Sequence, residues 1–143
     1  MKPLFHNLGG KYADVTRQAG DGFSTPYTGR GAAFADFDND GNMDVVVANN
    51  GDPPLLLHNE GGTGNHFVNF KLAGVKSNRD AMGARIKLTT GGFSQVREIA
   101  GGGSYLSQRD LRAPFGIGSN PRLAPAQVWW PVALRQGVPA RPA

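Results

Sequence analysis

Cysteine is absent from the 143 residues, which excludes a disulfide framework, a thiolate metal site and a cysteine nucleophile while leaving the compartment open. No run approaches the roughly 18 apolar residues that a membrane-spanning helix needs. The opening MKPLFHNLGG has one lysine but no apolar stretch behind it, so the chain is expected to carry neither a Sec-type signal nor a membrane span of its own. Helical signal is scarce: DVTRQAG at 14–20 offers one short turn, which Gly20 would end. Also missing are a nucleophile elbow with Ser/His/Asp partners, a paired-carboxylate cleft and a histidine-rich metal site, so no enzymatic activity is expected.

Glycine (21) and proline (10) are plentiful, and they punctuate the chain. Between Gly/Asn/Asp clusters lie nine short stretches with strand character: 11–15, 31–35, 44–48, 54–58, 66–72, 83–89, 94–99, 111–117 and 126–130. That spacing predicts an all-β sandwich, barrel or propeller. The net charge of +4 conceals a split, with 4 Lys/Arg against 8 Asp/Glu in residues 1–70 and 11 against 3 in residues 71–143. The basic half has no cationic run and no aromatic stacking platform, which argues against a nucleic-acid partner and for a solvated surface.

An internal repeat organises the first half. PLFHNLGG at 3–10 returns as PLLLHNEGG at 54–62, aligning His6 with His58, Asn7 with Asn59, Gly9 with Gly61 and Gly10 with Gly62. A period of 52 is that of a propeller blade. The copies diverge after Gly62, which sets the expected boundaries: a repeat region at 1–64, a second module at 65–132, and a Pro- and Arg-rich tail at 133–143, extended on a partner or disordered.

The densest chemistry is ADFDNDGNMDVVVANN at 35–50. Asp36, Asp38, Asp40 and Asp44 occupy loop positions 1, 3, 5 and 9, with Gly41 at position 6 to permit a sharp turn and Asn42 at position 7 to offer its backbone carbonyl. This many hard oxygen donors suits Ca²⁺, and without a cation the carboxylates would repel one another. The plain alternative is a solvated acidic turn. A helix–loop–helix calcium hand does not fit, because position 12 is Val47 instead of a glutamate and the flanks GAAFA and VVVA are β-like. The loop should therefore join two strands of a hairpin.

Other residues carry weaker signals. His6, His58 and His66 read as structural positions, two of them equivalent in the repeat. GGGSYLSQRD at 101–110 lacks the lysine and following helix of a phosphate loop and reads as a turn. Within it, Ser104, Tyr105, Gln108 and Arg109 are candidate surface contacts. Arg79–Asp80 and Arg109–Asp110 are adjacent opposite charges that would lock two loops if they met. Trp129 and Trp130 alternate on a strand, so one should face the core and the other solvent or a partner.

GRGAAFADFDNDGNMDVVVANNGDPPLLLHNEGG resembles an FG-GAP/VCBS repeat of the integrin α-chain propeller type, and LFHNLGGKYADVTRQAG resembles the end of a preceding repeat. SNRDAMGARIKL, REIAGGGSYLSQRDLRAPFGIG and VWWP resemble the ASPIC/UnbV module. The resemblance implies a partial propeller blade followed by a small β-sandwich-like module, with Asp36, Asp38, Asp40, Asn42 and Asp44 as calcium ligands. It also implies an extracellular or periplasmic, non-enzymatic protein that binds a protein or glycan at the cell surface. The alternative is an accessory subunit packed on a larger cell-envelope assembly, because a lone blade leaves sheet edges and a face uncovered.

Overall fold

The computed structural model describes residues 3–61, 64–119 and 125–139. Their regular structure is all β, apart from single 3-10 turns at Thr16–Gln18 and Asp21–Phe23. A hairpin of β1 (Phe5–Asn7) and β2 (Tyr12–Asp14) comes first. A meander of β3 (Gly29–Ala35), β4 (Asp44–Asn49) and β5 (Leu55–Leu57) follows. Next, β6 (His66–Phe70) pairs with β9 (Ala113–Gly118). A four-stranded sheet has the order β11 (Arg135–Val138), β10 (Ala126–Trp129), β7 (Arg85–Thr90) and β8 (Phe93–Glu98). Every pairing is antiparallel.

The core sits in the second half. Strand alternation turns Ile86, Leu88 and Thr90 of β7, Ala113, Phe115 and Ile117 of β9, and Ala126 and Val128 of β10 away from water. The apolar members of this set gather with Ala81, Ala84 and Ile99 into one cluster. Phe70 meets the fully buried Phe115 edge-on, with ring centroids 5.5 Å apart. Each large side chain covered in this way contributes about 1.5–3 kcal/mol of hydrophobic stabilisation. By contrast, Val47 is the one buried large apolar residue among the described residues 3–61. The repeat region thus has almost no core of its own.

The repeat seen in the sequence is a repeat of local geometry. Asn7 Oδ1 accepts from Gly9 N–H at 3.0 Å, and Asn59 Oδ1 accepts from Gly61 N–H at 3.1 Å. Both glycines are left-handed, with φ of 80° and 70°. An asparagine side chain closing a turn onto a left-handed glycine explains why these residue types recur at this spacing.

The tail requires a correction. Instead of lying on a partner or losing order from residue 133, residues 135–138 form β11, paired in register with β10 from Ala126↔Val138 to Trp129↔Arg135. RQGV has no alternating pattern of its own, but the edge of β10 supplies the backbone partners. The rest of the expected tail, residues 140–143, lies outside the described residues.

Candidate metal centre

The acidic stretch closes the β3–β4 hairpin, with Ala35 opposite Asp44 at its base. The loop is shaped by its own side chains. Asp44 Oδ2 accepts from Phe37 N–H, Asp36 Oδ2 from Gly41 N–H, Asp38 Oδ1 from Asp40 N–H and Asp40 Oδ1 from Asn42 N–H. Gly41 has φ 91°, and a β-carbon built there would overlap the Phe67 ring. Two independent constraints therefore require glycine at position 6. Asn39 also lies in the left-handed region, at φ 62°, where asparagine is among the few tolerated side chains.

Three of the predicted ligands come together. One carboxylate oxygen from each of Asp36, Asp38 and Asp40 lies within 4.8 Å of the others. Asp38 and Asp40 are exposed, whereas Asp36 is 4% exposed. Asp36 Oδ2 is engaged by Gly41 N–H and by the Asn69 amide at 3.3 Å, while its Oδ1 is buried with no hydrogen-bond donor. A carboxylate oxygen sealed from water without a donor is costly unless a cation meets it. Hard oxygens and no nitrogen or sulfur ligand in the group fit Ca²⁺ or Mg²⁺ better than a transition metal.

The other two predicted ligands, Asp44 and Asn42, also shape the loop through hydrogen bonds of their own. Asp44 is 2% exposed and spends its oxygens on the N–H groups of Phe37 and Asn59 and on His58 Nδ1. Burial pushes its carboxyl up, but the Asn59, Phe37 and His58 contacts outweigh that and hold it below the usual range. It ties the loop to the turn after β5. Asn42 donates through both its backbone and its amide to Asp40, which lowers the Asp40 carboxyl.

His58 is the residue the sequence reading undervalued. Its Nδ1 lies 3.1 Å from Asp44 and its Nε2 3.9 Å from Asp38, and its ring packs edge-on against Phe37. The repeated His–Asn pair was the available signal. His6 makes no such contact among the described residues.

The candidate surface contacts Ser104, Tyr105, Gln108 and Arg109 are all exposed, and Ser104 and Tyr105 also meet β3. Ser104 Oγ accepts from Ala32 N–H and Asp110 N–H donates to Phe34 C=O, so this segment runs along β3, the edge strand of the meander. A β-carbon at Gly31 would overlap the Tyr105 carbonyl oxygen, and the Arg30 guanidinium lies 4.8 Å over the Tyr105 ring. The module thus covers an edge that would otherwise invite pairing. Gln108 donates to the Arg109 carbonyl, and Arg109 donates to Gly102 C=O. The expected Arg79–Asp80 and Arg109–Asp110 lock does not form: Asp110 pairs with Arg112, and Arg79 and Asp80 make no ion pair among the described residues. A bend at 111–112 lets Arg112 fold back onto Asp110.

Trp130 packs against the core cluster and donates to Gln136 at 3.1 Å, and both Trp129 and Trp130 line a shallow surface groove with Val96 and Leu134. Both are half-buried. An open cleft of about 390 Å³ lies between the acidic loop and the second module, lined by Asp36, Gly41, Asn69, Arg97, Arg109 and Arg112 among others.

Comparison with known proteins matches two stretches of the chain to separate families. Residues 3–47 match the family model of an FG-GAP-like repeat and residues 74–142 match that of ASPIC and UnbV. The chain therefore carries, in order, a stretch that matches an FG-GAP-like repeat and one that matches an ASPIC/UnbV domain. It is also similar to cartilage acidic protein 1 of Xenopus tropicalis, at 28% identity over 116 residues. That match covers 78% of this chain and 18% of the frog protein, so this chain corresponds to under a fifth of that relative. No helix among the described residues is long and apolar enough to cross a membrane.

Proposed function

We propose that this chain is a calcium-stabilised, non-enzymatic binding module acting outside the cytoplasm, with units at 1–64 and 65–132, whose partner is a protein or glycan at the cell surface. The observation that carries the metal assignment is the sealed, donorless Oδ1 of Asp36 in a cluster with Asp38 and Asp40. Those three carboxylates would hold the ion. Asp44 and Asn42 shape the loop around it. The ion supplies no reaction: it neutralises the cluster and stabilises the hairpin by mass action. Extracellular modules of this kind bind at about 10⁻⁴–10⁻³ M.

The extracellular side of this reading is supported by the two family matches and by the similarity to cartilage acidic protein 1. The second reading, an accessory subunit of a larger assembly, is favoured by the outer face of the meander. Val46 and Leu56 sit directly opposite each other there and are 46% and 53% exposed.

Equilibrium dialysis with ⁴⁵Ca²⁺ tests the metal assignment. Wild type should retain about one ion per chain at millimolar Ca²⁺, and Asp36→Asn with Asp38→Asn should retain none. Equal retention would overturn it. Light scattering separates the two readings: a monomer supports the free binding module, and self-association through the Val46–Leu56 face supports the subunit.

A further inference from the structure

We infer that the metal loop is completed by the second module: Arg112 and Asn69 are positioning residues for the cation, so Ca²⁺ affinity and the docking of the two units rise together. This rests on reading the acidic loop as the calcium site.

Arg112 lies 76 positions beyond Asp36 and reaches it across the junction between the units. Its Nη2 donates to the Asp36 backbone carbonyl at 2.8 Å, and its Nη1 donates to Asn39 Oδ1. One planar guanidinium thus fixes the backbone of the first ligand and the left-handed residue between the other two, Asp38 and Asp40. Rotation at Asn39 would swing those carboxylates apart. From β6, Asn69 donates to Asp36 Oδ2, which leaves Oδ1 as the oxygen with no other partner.

A guanidinium beside a cation site would ordinarily repel the ion. Here Arg112 Nε is paired with Asp110 Oδ2, and Asp110 Oδ1 also accepts from Arg112 N–H. The pair carries no net charge. The Asp110 N–H meanwhile donates to Phe34 C=O on β3, so the same two residues hold the module to the edge strand and the loop to its shape. A fork with donors for three separate acceptors is a property of arginine that lysine does not reproduce.

Coupling of this kind is reciprocal: whatever docking adds to Ca²⁺ affinity, Ca²⁺ adds to docking. Apo protein should therefore have a looser junction than loaded protein, with the 390 Å³ cleft at its centre.

The test is calorimetric titration of Ca²⁺ into the full chain as wild type, Arg112→Gln, Arg112→Lys and Ser104→Ala. Ser104→Ala removes a docking bond on β3 that touches no loop residue. Outer-shell residues of metal sites alter affinity by about 10–100-fold, so Arg112→Gln should weaken binding about tenfold. Arg112→Lys should fall between it and wild type, and so should Ser104→Ala, because a looser junction lowers affinity through the same coupling without touching the loop. If Arg112→Gln does not fold by circular dichroism, Arg112→Lys carries the decision. Folded Arg112 variants that bind like wild type would overturn the proposal, as would Ser104→Ala weakening binding as much as Arg112→Gln. A wild type that binds no Ca²⁺ overturns the metal reading itself; a wild type that binds, with variants that bind equally, overturns only the role of Arg112.

Discussion

The Phe67 ring stands where a β-carbon of residue 41 would be, so Gly41 and Phe67 together lock the acidic loop against the start of β6. Gly41 also has φ 91°. Gly41→Ala should therefore suffer overpacking and left-handed strain together, lowering stability by about 2–5 kcal/mol. Chemical denaturation would read this. A loss below about 1 kcal/mol would mean that loop and β6 are not in contact in solution.

Gly31 tests the docking of the second module on β3. A side chain there has to displace the Tyr105 carbonyl and Ser107 Oγ, the latter 2.7 Å away. Gly31→Ala should cost about 1–3 kcal/mol and raise hydrogen exchange in 104–110 without altering exchange in β7 or β10. Exchange that rises equally everywhere would point to global destabilisation instead.

Asp14 offers a pH signature away from the metal loop. The hydroxyl and backbone N–H of Thr16 hold its carboxyl below the usual range, outweighing a small desolvation effect, with Arg17 adding to the lowering. A group depressed in the folded state contributes stability above its unfolded value of about 3.9 and loses it as pH falls through the lower folded value. The stability gap between wild type and Asp14→Asn should therefore be complete at neutral pH and narrow below about pH 4. A gap independent of pH would contradict the charge-assisted contact.

His58 makes a fourth case. Its contacts with Asp44 and Phe37 join β5 to the loop, so His58→Ala should lower stability by about 1–2 kcal/mol and weaken Ca²⁺ retention. His6→Ala, at the equivalent repeat position but without those contacts, should do neither.

Much of this architecture was legible in the sequence. Nine of the strands fall where alternation and Gly/Asn/Asp punctuation predict them, because those signals are local. The two that were not legible, β1 and β11, are held by their partners' edges; RQGV gains its structure from β10 alone. In the loop, the spacing of Asp36, Asp38 and Asp40 anticipates their convergence. It does not reveal that Phe37, Asn59 and His58 also meet the Asp44 carboxylate, because those contacts form only in the folded loop and turn. Arg112 was invisible for a stronger reason. Its partners in the acidic loop lie more than seventy positions away, and only the packing of one unit on the other brings them together.

The most direct measurement of the central claim is thermal unfolding of the full chain in excess EGTA and in about 5 mM Ca²⁺, above the expected extracellular range of affinities, with Asp40→Ala alongside. The account predicts a Tm that rises several degrees with Ca²⁺ for wild type and does not move for the variant. A wild-type Tm indifferent to Ca²⁺ would contradict it and reduce the acidic loop to a solvated turn.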